Sequence, residues 1–137
     1  MKTATGDSRL TAIIAADERV SALTETLSKR GISATVITNA DEALDECLMN
    51  PPHLAIVGSA LGRMTGIHFL AELLKISWKT STILIADEDE ETIHDQTEGL
   101  GILGAIKSTR DAEALEKLLD KFFEIVATDQ QSASVGK

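Results

Sequence analysis

The sequence is poor in the residues from which nucleic-acid surfaces are made. It has no Tyr, one Trp and three Phe in 137 residues, so the platforms on which proteins stack bases are missing. Cations are outnumbered, 13 Lys and Arg against 22 Asp and Glu, for a formal charge of −9. Phosphate-backbone binding needs clustered Lys and Arg, which excludes nucleic acid as a direct partner. A single cysteine, Cys47, excludes an intramolecular disulfide framework. It falls beside Ala43, Leu44 and Leu48 on the apolar side of an expected helix and reads as a small buried hydrophobe. No apolar run approaches the roughly 18–20 residues that span a bilayer, so no membrane partner is expected. The apolar stretch near the amino terminus, Leu10 to Ala16, is closed by Asp17-Glu18 and reads as a strand, not a signal segment. The expected compartment is the cytoplasm.

What is present suits one globular domain. The chain is 43% hydrophobic and 26% charged, too apolar for a disordered segment. The acidity is local. Asp87 to Glu98 reads DEDEETIHDQTE and holds seven carboxylates (Asp87, Glu88, Asp89, Glu90, Glu91, Asp95, Glu98) with no Lys or Arg. Without them, 15 acids face 13 bases.

Along the chain, short apolar runs alternate with amphipathic ones. Strands are expected at 10–16, 33–38, 53–57, 81–86 and 102–106. Helices are expected at 19–30, 40–49, 66–76, the acidic segment to about Gly99, and 111–126. Gly31 serves as a helix stop, Asn39 as an N-cap, and Pro51-Pro52 as a terminator. Residues 1–8 and 127–137 read as flexible tails around a domain at 9–126. Strict alternation of strands buried on both faces with helices implies a parallel α/β sheet covered on both sides. Ligands of such sheets gather at the carboxyl ends of the strands.

Several motifs fail on context. Gly99 to Gly104 matches the G-x-G-x-x-G dinucleotide pattern, but that mechanism needs a strand before it and a helix after it. Here the order is reversed. The loop Gly58 to Gly66 lacks the Gly-Lys-Ser/Thr of a P-loop. His53, His68 and His94 stand far apart without metal-ligand spacing, and no Gly-x-Ser-x-Gly elbow exists. No cofactor is expected.

The stretch from about Leu10 to Phe123 resembles the receiver domain of two-component response regulators. The resemblance rests on IIAADE closing the first strand, on the spacing from PPHLAIV to the loop ending Met64-Thr65-Gly66, and on AIKS closing the last strand. It implies a single doubly wound, flavodoxin-like (βα)5 fold of strand order 2-1-3-4-5. In receivers an aspartate at the end of the third strand accepts phosphate, and Gly58 stands at that position. The Ser/Thr position is Ala86, the acidic pair aligns with Ala16 and Asp17 with Glu18 next, and Ser108 replaces a Pro. Asp17, Glu18 and Lys107 remain as a remnant pocket.

Glycine offers no nucleophile, and Mg²⁺ loses a main ligand. The resemblance therefore implies a pseudo-receiver without catalysis: no phosphotransfer, metal binding absent or weak, and Asp17 paired with Lys107 as a structural ion pair. Its output would be contact with another signalling protein, of basic surface, through Asp87, Glu88, Asp89, Glu90, Glu91, Asp95 and Glu98, with a homodimer left open. Two alternatives stand beside it. Val57 to Gly62 loosely resembles the phosphoserine loop of anti-sigma-factor antagonists, with Ser59 modified. The vacated pocket could instead sense a small molecule.

Overall fold

The periodicities of the sequence become alternating strands and helices because each apolar run is too short to bury itself alone. The computed structural model describes residues 10–16, 20–62, 64–77 and 79–135. In chain order the elements are β1 (Leu10–Ala15), α1 (Ser21–Lys29), β2 (Ile32–Ile37), α2 (Ala40–Met49), β3 (Leu54–Val57), β4 (Ala60–Leu61) and β5 (Met64–Thr65). Then follow α3 (Gly66–Ile76), β6 (Ser81–Ile85), α4 (Glu90–Thr97), β7 (Gly104–Ile106) and α5 (Ala112–Val135). Five strands make one parallel sheet in the order β2-β1-β3-β6-β7. Counting only these five, the order is the expected 2-1-3-4-5.

The sheet divides two apolar layers. On one face Ile14, Ile56 and Ile83 meet Leu23 and Leu27 of α1 and Leu115, Leu119 and Phe122 of α5. On the other, Ile13, Val57 and Leu84 meet Ala43 and Cys47 of α2 and Phe69, Leu70 and Leu73 of α3. All four residues of β3 are fully buried, as the middle strand of a sheet covered on both sides must be. Across the first layer, Arg30 at the end of α1 donates to Glu116 and to Asp120 of α5, the latter at 2.9 Å, and its guanidinium lies 5.0 Å from the centre of the Phe123 ring.

The amino-terminal ends of the strands are closed by side chains. Pro51-Pro52 turns the chain away before β3, and the His53 imidazole takes the place of a ladder carbonyl: its Nδ1 accepts from the Thr11 N–H at 3.1 Å. His53 N–H donates to Thr11 O and Ser81 N–H to His53 O, both at 3.0 Å. Thr80 Oγ1 donates to Pro52 O at 2.7 Å and shares a 2.6 Å hydrogen bond with Ser77 at the end of α3. Asn39 caps α2 as expected, accepting from Glu42 N–H at 2.9 Å.

Several element ends shift by a residue or two, and three differences from the sequence reading have a structural reason. The loop after β3 forms a small antiparallel hairpin of β4 and β5, turning at Gly62 with φ +66. The last strand begins at Gly104 instead of Ile102, because the chain is still turning through Gly99 and Gly101, at φ +86 and +67. The third concerns α5, which continues to Val135 where a loose tail was expected from residue 127. No Gly or Pro interrupts 112–135, and extending an existing helix needs no apolar face.

Cys47 is fully buried, and that burial, followed by the charge of Glu46, pushes its thiol up to about 11. The folded protein therefore holds this proton more tightly than the unfolded chain. The stabilising contribution is complete below the ordinary thiol range and is lost as pH rises toward about 11. With a disulfide reagent at pH 8, native protein should react at least ~100-fold more slowly than a free thiol. Urea through the unfolding transition should restore the ordinary rate; fast labelling of native protein would contradict the burial.

Candidate functional site

The carboxyl ends of the strands meet at one edge of the sheet. Ala16 follows β1, Gly58 follows β3, Ala86 follows β6 and Lys107 follows β7. The ladder continues into two of these positions: Gly58 N–H donates to Ala15 O at 2.8 Å and Ala86 N–H to Ile106 O at 2.9 Å. Asp17 and Glu18, the expected acidic remnant, lie outside the described residues. What the structure brings together is therefore Ala16, Gly58 and Ala86, all buried, with Lys107 exposed beside them. Lys107 makes no hydrogen bond or ion pair among the described residues.

Packing at this edge is tight. A Cβ placed on Gly58 would lie 3.2 Å from Ala16 Cβ, closer than ordinary van der Waals contact. A Cβ on Gly66, the first residue of α3, would lie 2.2 Å from Gly58 O and 3.0 Å from Leu84 Cδ1. The Gly66 N–H also donates to Ser59 O at 2.9 Å. Helix α3 is thus seated backbone-to-backbone on the end of β3, and only glycine permits that approach. Gly66 escaped the sequence reading as a functional position. Its signal was a glycine where a helix begins, directly after the capping Thr65, which accepts from His68 N–H at 3.1 Å.

Beside this contact lies an open cleft of about 530 Å³ lined by Ser59, Thr65, Ile67, Ala86, Asp87 and Gln96. Its floor is small and apolar. Among the described residues no group of three or more His, Cys, Asp or Glu gathers at metal-binding distance, so those residues alone do not fit a Mg²⁺ site.

The acidic segment sits next to the cleft. Asp87, Glu88 and Asp89 form the exposed loop after β6; Glu91 and Asp95 on α4 and Glu98 just past it are exposed, and Glu90 is the first residue of the helix. The segment folds because Asp89 caps it, accepting from Thr92 N–H at 2.8 Å. Hydrogen bonds from the Thr92 side chain, then from its backbone, hold the Asp89 carboxyl below the usual carboxylate range. The helix rests on half-buried Ile93 and buried Thr97, whose hydroxyl donates to Ile93 O at 2.7 Å. Lys107 joins Glu88 and Glu91 in lining the groove beside this helix. The dinucleotide-like Gly99 to Gly104 follows α4 and enters β7, the wrong order for a pyrophosphate cradle. Among the described residues no helix is long and apolar enough to cross a membrane.

No protein-family model matches the chain, and no curated protein matches it. Solved structures do. NtrX from Brucella abortus, in complex with ADP, superposes with a TM-score of 0.78 at 18% identity, over 93% of this chain and 30% of that one. The chemotaxis protein CheY4 of Vibrio cholerae gives 0.73 at 18% identity, over 84% and 99%. The signal receiver domain of an HD domain-containing protein from Pseudomonas fluorescens Pf-5 gives 0.75 at 20% identity, over 88% and 98%. The fold is the response-regulator receiver fold. The chain spans less than a third of NtrX and about the whole of the isolated receivers.

Two outcomes follow from this geometry. Gly66→Ala, which in an ordinary helix would stabilise, should here cost about 1–3 kcal/mol by overpacking, read as a lowered urea midpoint. An unchanged or raised midpoint would show that the β3–α3 contact has slack. Asp89→Ala should speed amide exchange of Thr92 and Ile93 while leaving α3 unaffected. In the wild type, lowering pH should act the same way. A depressed carboxyl contributes stability above its unfolded pKa and loses it as pH falls through the folded value. Exchange in α4 that stays constant from neutral pH into the acid range, after correction for intrinsic rates, would count against the cap.

Proposed function

We propose that this chain, over residues 9–126, is a receiver-fold signalling domain that works without aspartyl phosphorylation, its output being contact with another signalling protein. The observation that carries the reading is the end of β3. Gly58 is buried there, its missing side chain faces Ala16 at 3.2 Å, and Ala86 closes the neighbouring strand. Phosphoryl transfer to an aspartate needs a carboxylate nucleophile, with charge neutralised by a cation. At Gly58 there is no such group, and the site is packed too closely to admit one without movement. Lys107 and the expected Asp17 and Glu18 are then remnants serving structure.

With the pocket silent, the surface that differs most from neutral is the acidic loop and α4. Its exposed carboxylates, Asp87, Glu88, Asp89, Glu91, Asp95 and Glu98, would steer a basic partner, with an on-rate that falls as salt rises. Modification of Ser59 fits less well. A phosphate there would open into a cleft that also holds Asp87 and Glu88, and like charges repel.

The test is chemical. Incubated with acetyl phosphate and Mg²⁺, the protein should show no phosphoryl adduct by intact mass, under conditions that label an ordinary receiver. An adduct mapped to any strand-end residue would overturn the reading.

A further inference from the structure

A second groove beside α4 shares Ala86 and Glu88 with the strand-end cleft. It lies along β7, which ends the sheet. All ladder bonds of this strand run to β6: Leu103 N–H donates to Thr82 O at 2.8 Å, and Ile106 O accepts from Ala86 N–H at 2.9 Å. Backbone groups alternate sides along a parallel strand. In an extended strand the N–H and carbonyl of one residue share a side; Ile106 O faces β6, so the N–H and carbonyl of Ala105 point to the open edge. The Leu103 carbonyl alternates the same way, and it accepts from Lys121 Nζ of α5 at 3.5 Å, outside the ladder.

Between this edge and α4 the groove has a volume of about 920 Å³. Ile93, Ile102 and Ala105 give it an apolar floor, and Glu88, Glu91 and Glu98 outnumber Lys107 in its lining to leave an acidic rim. Gly99 and Gly101 also line it or border it without side chains, and a Cβ on either would meet no atom within 4 Å. An extended backbone can approach without a wall in its way.

We propose that the β7 edge takes an extended segment of another protein as a sixth strand of the main sheet, with Lys or Arg side chains against the acidic rim and apolar ones on the floor. The proposal rests on the reading of the α4 side as the partner surface and adds the partner's form. Charge selects this occupant. A second copy pairing edge to edge would bring two rims of the same sign together, on chains of net charge −9 each. A lysine-bearing strand meets the rim with opposite sign, and main-chain pairing supplies affinity that alternating side chains make specific.

The probe is a seven-residue peptide alternating lysine and valine, titrated into the ¹⁵N-labelled protein. Saturable shifts at Gly104, Ala105 and Ile106 are expected, with slower exchange of the Ala105 amide. Backbone N-methylation at alternate peptide residues should weaken binding about tenfold or more, and so should combined Glu88→Gln, Glu91→Gln and Glu98→Gln. Equal binding of the N-methylated peptide would overturn strand addition while leaving the acidic face as a partner surface. Absence of binding by either peptide would overturn the proposal outright, and so would a dimer in sedimentation whose Ala105 amide is already protected. Neither result bears on phosphoryl labelling, so failure here and failure of the functional reading remain separate.

Discussion

The structure depends on a sheet that must be dry on both faces. β3 makes this plain: four residues long, it has no exposed side chain, and every backbone group it offers goes to β1 or β6. A strand so placed leaves its neighbours no choice of side. Crossovers of one hand then send α1 and α5 to one face and α2, α3 and α4 to the other. The loops that join strand ends to helices are consequently gathered at one edge, whatever their residues are. The fold thus creates a site by geometry before any chemistry is assigned to it.

What fills that site is a matter of volume. In an α/β sheet of this kind a polar pocket stays open because bulky charged side chains hold its walls apart and recruit water or ions. Here Ala16, Gly58 and Ala86 are buried at the strand ends, and the backbones of β3 and α3 meet directly. Gly66 against Gly58 is the tightest instance, since two main chains meet where side chains would normally intervene. A side chain added at Gly58 would crowd Ala16, and one added at Gly66 would collide with the end of β3. The acidic loop and helix lie just outside this closed corner, where solvent screens their mutual repulsion and a cap at Asp89 gives the helix a defined start.

Most of the fold was legible in the sequence because it follows from period and punctuation. Strand positions came from short apolar runs, and helix starts and stops from Asn39, Gly31 and Pro51-Pro52. The strand order came from the family resemblance together with the handedness of crossovers. Less visible was anything decided by contact between distant backbones. Neither the two-residue strands β4 and β5 nor the seat of α3 on β3 leaves a periodic signal. The late start of β7 depends on two glycines whose left-handed conformation only the turn reveals. Composition also misled at the end of α5, where polar residues without apolar rhythm still extend a helix that packing had already nucleated. In the site, the small residues Ala16, Gly58 and Ala86 were legible as departures from a pattern, but their mutual packing was not. The pairing of Asp17 with Lys107 falls outside the described residues; Lys107 itself lines the groove beside α4.

The closure at the amino-terminal ends of the strands has a mechanical meaning. There His53, Thr80 and Ser77 tie β1, β3, β6 and the end of α3 into one hydrogen-bonded plate. At the opposite edge the joints are loops and a lightly anchored helix. The base is stapled by side-chain hydrogen bonds across three strands, whereas α4 at the top is held by its Asp89 cap and by Ile93 and Thr97, so local opening costs less at α4 than at the base.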